Sequence, residues 1–370
     1  MAKKEELKQL MGKPIKLAPN TYLHFYKGGK LRAWFVGEKN CKDDYRSEEW
    51  IFSTNRAVTP GRPNPPDKGL SRVQLPSGKF ALLKDLLAAF PNETLGKAHY
   101  KKYGPTLGLL VKIFDVGDGA HIPVHWHPSP AFATKHLHSP YGKNEAWILV
   151  GTRPGAEAWI GWKRNIKKEE LKAWVEAQDV PAMRAQMHHV KPKVGDVIFL
   201  RDSFAHSLGA GVCILEPQEP TDWNILAEWK GYPFGKNDCT LGLSWETALQ
   251  AVDYKKMALD YLNNYVKRTP VVVRTEGKAK EYRLVPEEAK KYFMVYRIVV
   301  PPGEMLTMPA DRGFYCTVTT GGEGKLVGPF PEVCTRRGVS YFIPTSLSKY
   351  AFVCTGKEPL VVVCCYPPKA

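Results

Sequence analysis

The amino-acid sequence predicts a mainly β chain, built as two successive barrels or sandwiches with a few helices. Three observations point there. Short apolar, β-branched runs recur along most of the 370 residues, punctuated by 31 Gly and 30 Pro, the turn density that short antiparallel strands need. A helical stretch interrupts them before Arg268–Pro270, and strands resume at Val271. The length has room for two or three packed units.

In chain order, the periodicity predicts strands over Thr21–Tyr26, Leu31–Val36, Leu107–Asp115, His121–His127, Glu145–Gly151, Val197–Arg201, Gly211–Glu216 and Asn224–Trp229. Three segments read as helices. Phe80–Phe90 carries Leu82, Leu83, Leu86 and Leu87 at helical spacing, and Ile166–Gln178 stops before a Pro. Ser244–Val266 is the longest, with Ser244 placed as an N-cap. Beyond it, strands are expected over Tyr292–Val300, Gly313–Thr320, Val339–Ile343, Tyr350–Thr355 and Leu360–Tyr366, a second β unit of about 100 residues. The expected division is 1–241 for the first unit, 242–269 for a helical connector and 270–370 for the second unit. All ten histidines lie at or before His206, so imidazole-based metal chemistry belongs to the first unit.

Composition excludes several classes. Hydrophobic residues at 44 % and charged residues at 24 % are ordinary for a globular protein. No run is apolar for the ~20 residues of a membrane helix, and the charged opening Met-Ala-Lys-Lys-Glu-Glu is not a secretory signal. Eight cysteines form no CxxC pair and sit mostly in apolar runs, which suits buried thiols in the cytoplasm. The net charge of +16 draws anions. Its lysines and arginines are scattered, however, without a tract or a nucleic-acid motif, so a solvated basic surface is the expectation, with neither nucleic acid nor membrane as partner.

The chemistry-bearing segment is Gly119-Ala-His-Ile-Pro-Val-His125-Trp-His127-Pro. On a strand, His125 and His127 share a face and can converge on one ion, whereas His121 lies ~13 Å from His125 along the strand. An isolated HxH is as well explained by two hydrogen-bonded histidines. Two more segments add to it: Gly142-Lys-Asn-Glu145 puts an acid at the mouth of an apolar strand, and Gly195-Asp-Val-Ile-Phe-Leu-Arg-Asp-Ser-Phe-Ala-His206 ends an apolar strand on a histidine. Together these resemble the two-part cupin signature, with Gly119 and Gly195 at its spacing and Arg201 and Ser203 in place of its second-part Pro and Gly. The resemblance implies cupin-type jelly-roll barrels and a metal ion held by His125, His127, Glu145 and His206, a donor set suited to a borderline divalent ion.

Over most of its length the chain resembles the type I phosphomannose isomerases, as a divergent member. The matching segments are Val124-His125-Trp126-His127-Pro128, Gly142-Lys143-Asn144-Glu145-Ala146-Trp147 and Gly195-Asp196-Val197 with His206. His125 stands at the family's Gln position. Weaker echoes are Glu48-Glu-Trp-Ile-Phe-Ser53, Leu109-Leu-Val-Lys-Ile113, Gly161-Trp-Lys-Arg164 and Phe342-Ile-Pro-Thr-Ser-Leu347. The resemblance implies zinc and an aldose–ketose isomerisation through a cis-enediol, with mannose 6-phosphate and fructose 6-phosphate as the leading pair. It also makes Lys143 a candidate for charge stabilisation or proton transfer. Asp222 and Glu228 are candidate bases; either also reads as a strand-edge acid.

One departure concerns phosphate. The Arg that the family places after its last metal histidine falls here on Ile225 or Leu226. Arg201, Arg164 and Lys230 are the candidates to supply charge to a substrate, with Trp126 as a further substrate contact, or the substrate is a free sugar. Two other classes fit the motifs: an Fe(II) oxygenase on the same donor set, and a non-catalytic sugar-binding cupin. The histidine-free second unit is expected to play a structural part, covering the first, so that a monomer or weak homo-oligomer suffices.

Overall fold

In the computed structural model, described over residues 2–369, strands with both faces buried set the architecture. The first half contains β1 (Ile15–Lys16), β2 (Thr21–Tyr22), β3 (Glu48–Phe52), β4 (Arg72–Gln74), β5 (Phe80–Leu82), β6 (Leu110–Asp115) and β7 (Ile122–Trp126). There follow β8 (Glu145–Thr152), β9 (Ala158–Trp162), β10 (Met187–Val190), β11 (Val197–Leu200), β12 (His206–Leu208), β13 (Val212–Gln218) and β14 (Ile225–Leu226). They form a six-stranded sheet, β11-β8-β13-β6-β3-β2, and a five-stranded sheet, β10-β9-β12-β7-β14. Every strand pairing in these two sheets is antiparallel.

The second half supplies β15 (Val271–Glu276), β16 (Ala279–Arg283), β17 (Met294–Val300), β18 (Met305–Met308), β19 (Tyr315–Gly321), β20 (Glu323–Gly328), β21 (Phe330–Arg336), β22 (Ser340–Ile343), β23 (Tyr350–Cys354) and β24 (Leu360–Tyr366). Its sheets run β1-β22-β19-β24-β17-β16-β15 and β18-β23-β20-β21. The short strand β1, from the start of the chain, thus completes the second half's larger sheet through Ile15 opposite Phe342. The cupin jelly-roll class expected from the motifs is the class observed.

The six-stranded sheet explains how the halves fit. Along β6, β8, β11 and β13, alternate residues turn to opposite sides. Phe114, Trp147, Leu149, Ile198 and Ile214 fill the first barrel. Val111, Ile113, Ile148, Phe199 and Leu215 face away from it and share one core with Phe293, Val318, Phe342 and Cys365 of the second half. Phe52 meets Phe342 with ring centres 5.5 Å apart. The sheet is a common wall, which is why its strands read as continuous apolar runs rather than as alternating ones.

Several expected elements differ, among them Thr21–Tyr26, of which only Thr21–Tyr22 is strand. Leu31–Val36 is a helix, Lys30–Val36, because its first amides, those of Gly29 and Leu31, are taken by the Asp115 carboxylate. The helix expected over Phe80–Phe90 gives its first three residues to β5 and begins at Leu83. The long helix expected over Ser244–Val266 is broken into short turns, with Val252 extended. There the backbone bonds outward: Asp253 N to Ser203 O, Ile166 N to Tyr254 O, and Met257 N to Trp162 O. Helical spacing persists in the sequence, but tertiary hydrogen bonds capture the backbone. Asn224–Trp229 also shortens, to the two residues of β14. Among the described residues no helix is long and apolar enough to cross a membrane.

Candidate metal centre

The two facing sheets of the first barrel contribute different chemistry. In the five-stranded sheet His206 pairs with His125 across β12 and β7, and Leu226 pairs with His125 across β14 and β7, so these three side chains share a row on one face. His127 follows one residue beyond β7. In the six-stranded sheet Glu145 opens β8, and Lys112 on β6 lies opposite Glu216 on β13. Imidazoles on one wall meet carboxylates and a lysine on the other.

The three imidazoles are oriented for an ion. Each uses Nδ1 on a backbone carbonyl: His125 on Pro123 O at 2.8 Å, His127 on Trp223 O at 2.9 Å, and His206 on Phe204 O at 2.8 Å. That contact fixes the tautomer with the proton on Nδ1 and leaves the lone pair on Nε2, where that of His127 also faces Lys143 Nζ at 3.3 Å. The three histidines' ligand atoms lie within 4.8 Å of one another, all buried. Glu145 joins them, its carboxylate oxygens 3.1 Å from His127 Nε2 and 3.3 Å from His206 Nε2. His206 Nε2 is buried without a hydrogen-bond partner, a costly condition that a divalent ion relieves. The donor set therefore fits a metal.

Electrostatics favour the ligating forms. Burial, reinforced by His206, His127 and Lys143, holds His125 well below the ordinary imidazole range. Burial and Lys143 bring His127 to about 3. For Glu145, burial alone pushes upward, but Lys143 and His127 outweigh it and keep the carboxyl well below its usual value. Neutral imidazoles and an ionised carboxylate are the states a metal requires.

Beside this group lies a small cavity of about 40 Å³, lined among others by Lys112, Lys143, Glu48, Glu216, Asp222 and Asn224. Lys143 Nζ sits 3.0 Å from Asn224 Oδ1, 3.1 Å from Glu145 Oε2 and 3.3 Å from His127 Nε2. Lys112 Nζ bridges Glu216 at 3.3 Å and Glu48 at 3.7 Å. Glu48 also accepts from Tyr26 Oη at 2.7 Å and Trp50 Nε1 at 3.1 Å. Burial opposes its charge, yet His24 and Lys112 hold it at about 2. Glu216 goes the other way, pushed up to about 7 by burial and by Glu145, and burial takes Asp222 to about 6.

The residues expected at the site thus divide. The structure brings together His125, His127, Glu145, His206, Lys143 and Asp222. It places the others elsewhere. Glu228 binds His121 Nε2 at 2.7 Å and the Val124 amide at 2.6 Å, on the side of β7 away from the cavity. Trp126 points from β7 opposite to His125, into a core where its indole donates to Ala248 O. Arg201 lines a separate groove with Tyr261, Arg164 pairs at the surface with Glu170, and Lys230 is exposed. None of these five lines the metal cavity. Sequence reasoning missed Glu48, Lys112, Glu216 and His24 as cavity residues. The available signal was a charge inside an apolar run, as in Leu109–Ile113 and Cys213–Glu216, which a two-sided buried strand tolerates only when the charge is paired.

No protein-family model matches the chain. It is 22 % identical over 348 residues to the mannose-6-phosphate isomerase of Streptococcus mutans, covering 92 % of this chain and 96 % of that protein. It is 26 % identical over 263 residues to the putative mannose-6-phosphate isomerase YvyI of Bacillus subtilis, covering 69 % and 76 %. Among solved structures, the mannose 6-phosphate isomerase from Bacillus subtilis superposes with a TM-score of 0.71 at 19 % identity, over 95 % of this chain and 99 % of that one. A putative mannosephosphate isomerase from Archaeoglobus fulgidus gives 0.70 at 20 % identity, over 96 % and 98 %. The fold and the full-length likeness agree: this chain is a divergent relative of the mannose-6-phosphate isomerases.

Proposed function

We propose that the chain is a metal-dependent aldose–ketose isomerase acting on a sugar or sugar phosphate through a cis-enediol. The observation that carries this reading is the convergence of three buried imidazole Nε2 atoms and the Glu145 carboxylate, beside Lys143 and two carboxyls of raised pKa. The names of the relatives support it and put mannose 6-phosphate and fructose 6-phosphate first among substrates to assay. His125, His127, Glu145 and His206 would hold the ion, and zinc heads the candidates for this donor set. When bound, a divalent ion supplies Lewis-acid charge to the sugar oxygens.

The chain's own groups do the rest. Isomerisation moves a proton between C1 and C2, so a base must accept it and return it. Asp222, near 6, and Glu216, near 7, are carboxyls matched to that task at neutral pH. Lys143, fixed by Asn224 and Glu145, keeps a cation beside the oxygen that gains charge. Lys112 positions Glu216 and Glu48 rather than reacting. Eight free thiols suit a reducing cytoplasm, and the shared wall between the barrels leaves a monomer self-sufficient.

The test is an isomerase screen of the metal-loaded protein, following aldose–ketose interconversion by NMR. Asp222→Asn and Glu216→Gln are expected to lower kcat by at least about tenfold while metal content stays unchanged. Absence of interconversion with every aldose and ketose, phosphorylated and free, overturns the reading.

A further inference from the structure

We propose that Glu219 is a positioning residue: its carboxylate sets where Lys143 stands in the metal centre by gripping Gly142 and Asn144 on either side of it. The kinetic consequence rests on the isomerase reading and adds to it a group outside the cavity. Residues 141–144 form no strand or helix, so no ladder fixes Lys143 before β8 begins at Glu145. Lys143 is nonetheless only 2 % exposed, with Nζ 3.1 Å from Glu145 Oε2. Something other than strand pairing holds it there.

Glu219, the residue after β13, supplies the missing bonds. Its Oε2 accepts from the Asn144 amide at 2.9 Å and from Asn144 Nδ2 at 2.7 Å. Its Oε1 accepts from the Gly142 amide at 3.3 Å, and its own amide donates to Asn144 O at 3.0 Å. Bonds from an amide to a carboxylate are stronger than those between neutral groups. Among the described residues the Glu219 carboxylate has no ion-pair partner and serves these donors alone. Asn144 is tied a second time. Its Nδ2 donates to Asp202 Oδ2 at 3.2 Å, and its Oδ1 accepts from the Asp202 amide at 3.1 Å. Glu219, Asn144 and Asp202 are all buried, and none of them lines the cavity.

The same loop holds the far end of the lysine. Thr221 Oγ1 donates to Gly142 O at 2.6 Å, and Asn224 Oδ1 accepts from Lys143 Nζ at 3.0 Å. Residues 219–224 therefore fix both the backbone around Lys143 and its ammonium, and Asp222 belongs to the same run. Removing the Glu219 carboxylate leaves the buried Gly142 and Asn144 amides unpaired, a condition the segment escapes only by moving. Lys143 moves with it. A misplacement of about 1 Å at a reacting centre is worth about a hundredfold in rate.

Two measurements on the full chain test this. In the first, lysine acetylation by acetic anhydride is followed by peptide mass spectrometry. Lys112 is the internal reference, because it is also buried but stands on the paired strand β6. Glu219→Ala is expected to speed labelling of Lys143 at least about tenfold, as local opening does, while Lys112 keeps its wild-type rate. Glu219→Gln keeps an acceptor for Asn144 and is expected to stay within about threefold of wild type. An unchanged Lys143, or Lys143 and Lys112 rising together, overturns the proposal, as does Glu219→Gln labelled as fast as Glu219→Ala. Should Glu219→Ala fail to fold, Glu219→Asp falls one methylene short of the amides and is expected to raise Lys143 labelling at least about threefold; a wild-type rate overturns the proposal. In the second measurement, Glu219→Ala loaded with metal is expected to lower kcat at least about tenfold with KM within about threefold, because Lys143 acts on charge that develops in the transition state. An unchanged kcat contradicts it. Wild-type protein that turns over no sugar sinks the isomerase reading instead, and the labelling still decides what holds Lys143.

Discussion

At the scale of single residues, the centre depends on where each polar atom finds its partner. The Nδ1 contacts of His125, His127 and His206 aim three lone pairs at one point, and Glu145 adds the anion. His206→Ala should therefore lower metal affinity by more than the ~10–100-fold typical of losing an outer-shell partner, measured by equilibrium dialysis against zinc or cobalt. A second prediction concerns acid stability. Burial keeps His24 at about 4 in the folded protein, against an ordinary 6.5. Above pH 6.5 the group is neutral in both states; as pH falls from 6.5 to 4 the unfolded chain takes the proton first, and up to about 3 kcal/mol of stability is lost. Urea unfolding of metal-loaded protein at stepped pH should show this slope, reduced in His24→Phe; equal slopes would contradict it. The four proposed ligands were brought to notice because their spacing is local to three short motifs. Lys112, Glu48 and Glu216 were not, because their meaning comes from pairing across strands distant in sequence.

At the scale of elements, loop residues line part of the cavity beside the candidate metal centre. The segment carrying His24, Phe25 and Tyr26 reaches the cavity because Gly28 packs on β6: a Cβ at Gly28 would stand 2.0 Å from Asp115 O. Gly28→Ala should lift this segment and cost roughly 1–3 kcal/mol, the usual range for overpacking, read as a lower urea midpoint. An unchanged midpoint would mean that the loop is not anchored there. Elements were legible where a short apolar run is bounded by turn residues, as in β8 and β13. They were misread where a remote group captured the backbone. The Asp115 carboxylate starts the helix at Lys30–Val36 from far along the chain, and Ser203, Trp162 and Ile166 unwind the segment expected as one long helix.

At the scale of the whole molecule, the sheet that carries Glu145, Lys112 and Glu216 is also the wall against the second barrel. The second half was legible as a β unit covering the first, but that the covered face belongs to β6, β8, β11 and β13 was not, since a buried run reads the same whichever core it enters. Burying Ile148, Phe199 and Leu215 is worth about 1.5–3 kcal/mol each, which couples the halves. The ten tryptophans all lie at or before Trp245, whereas Cys316, Cys364 and Cys365 are buried in the second barrel. Tryptophan fluorescence and thiol exposure should therefore report one coincident unfolding transition in urea. Two separated transitions would show that the barrels are independent.

The most direct test of the central claim is aldose–ketose interconversion before and after metal removal. Chelator-treated protein should be inactive and regain interconversion of at least one aldose–ketose pair on adding one equivalent of a divalent ion, while Glu145→Gln should not. Interconversion that survives complete metal removal, or that never occurs with metal bound, would contradict the account.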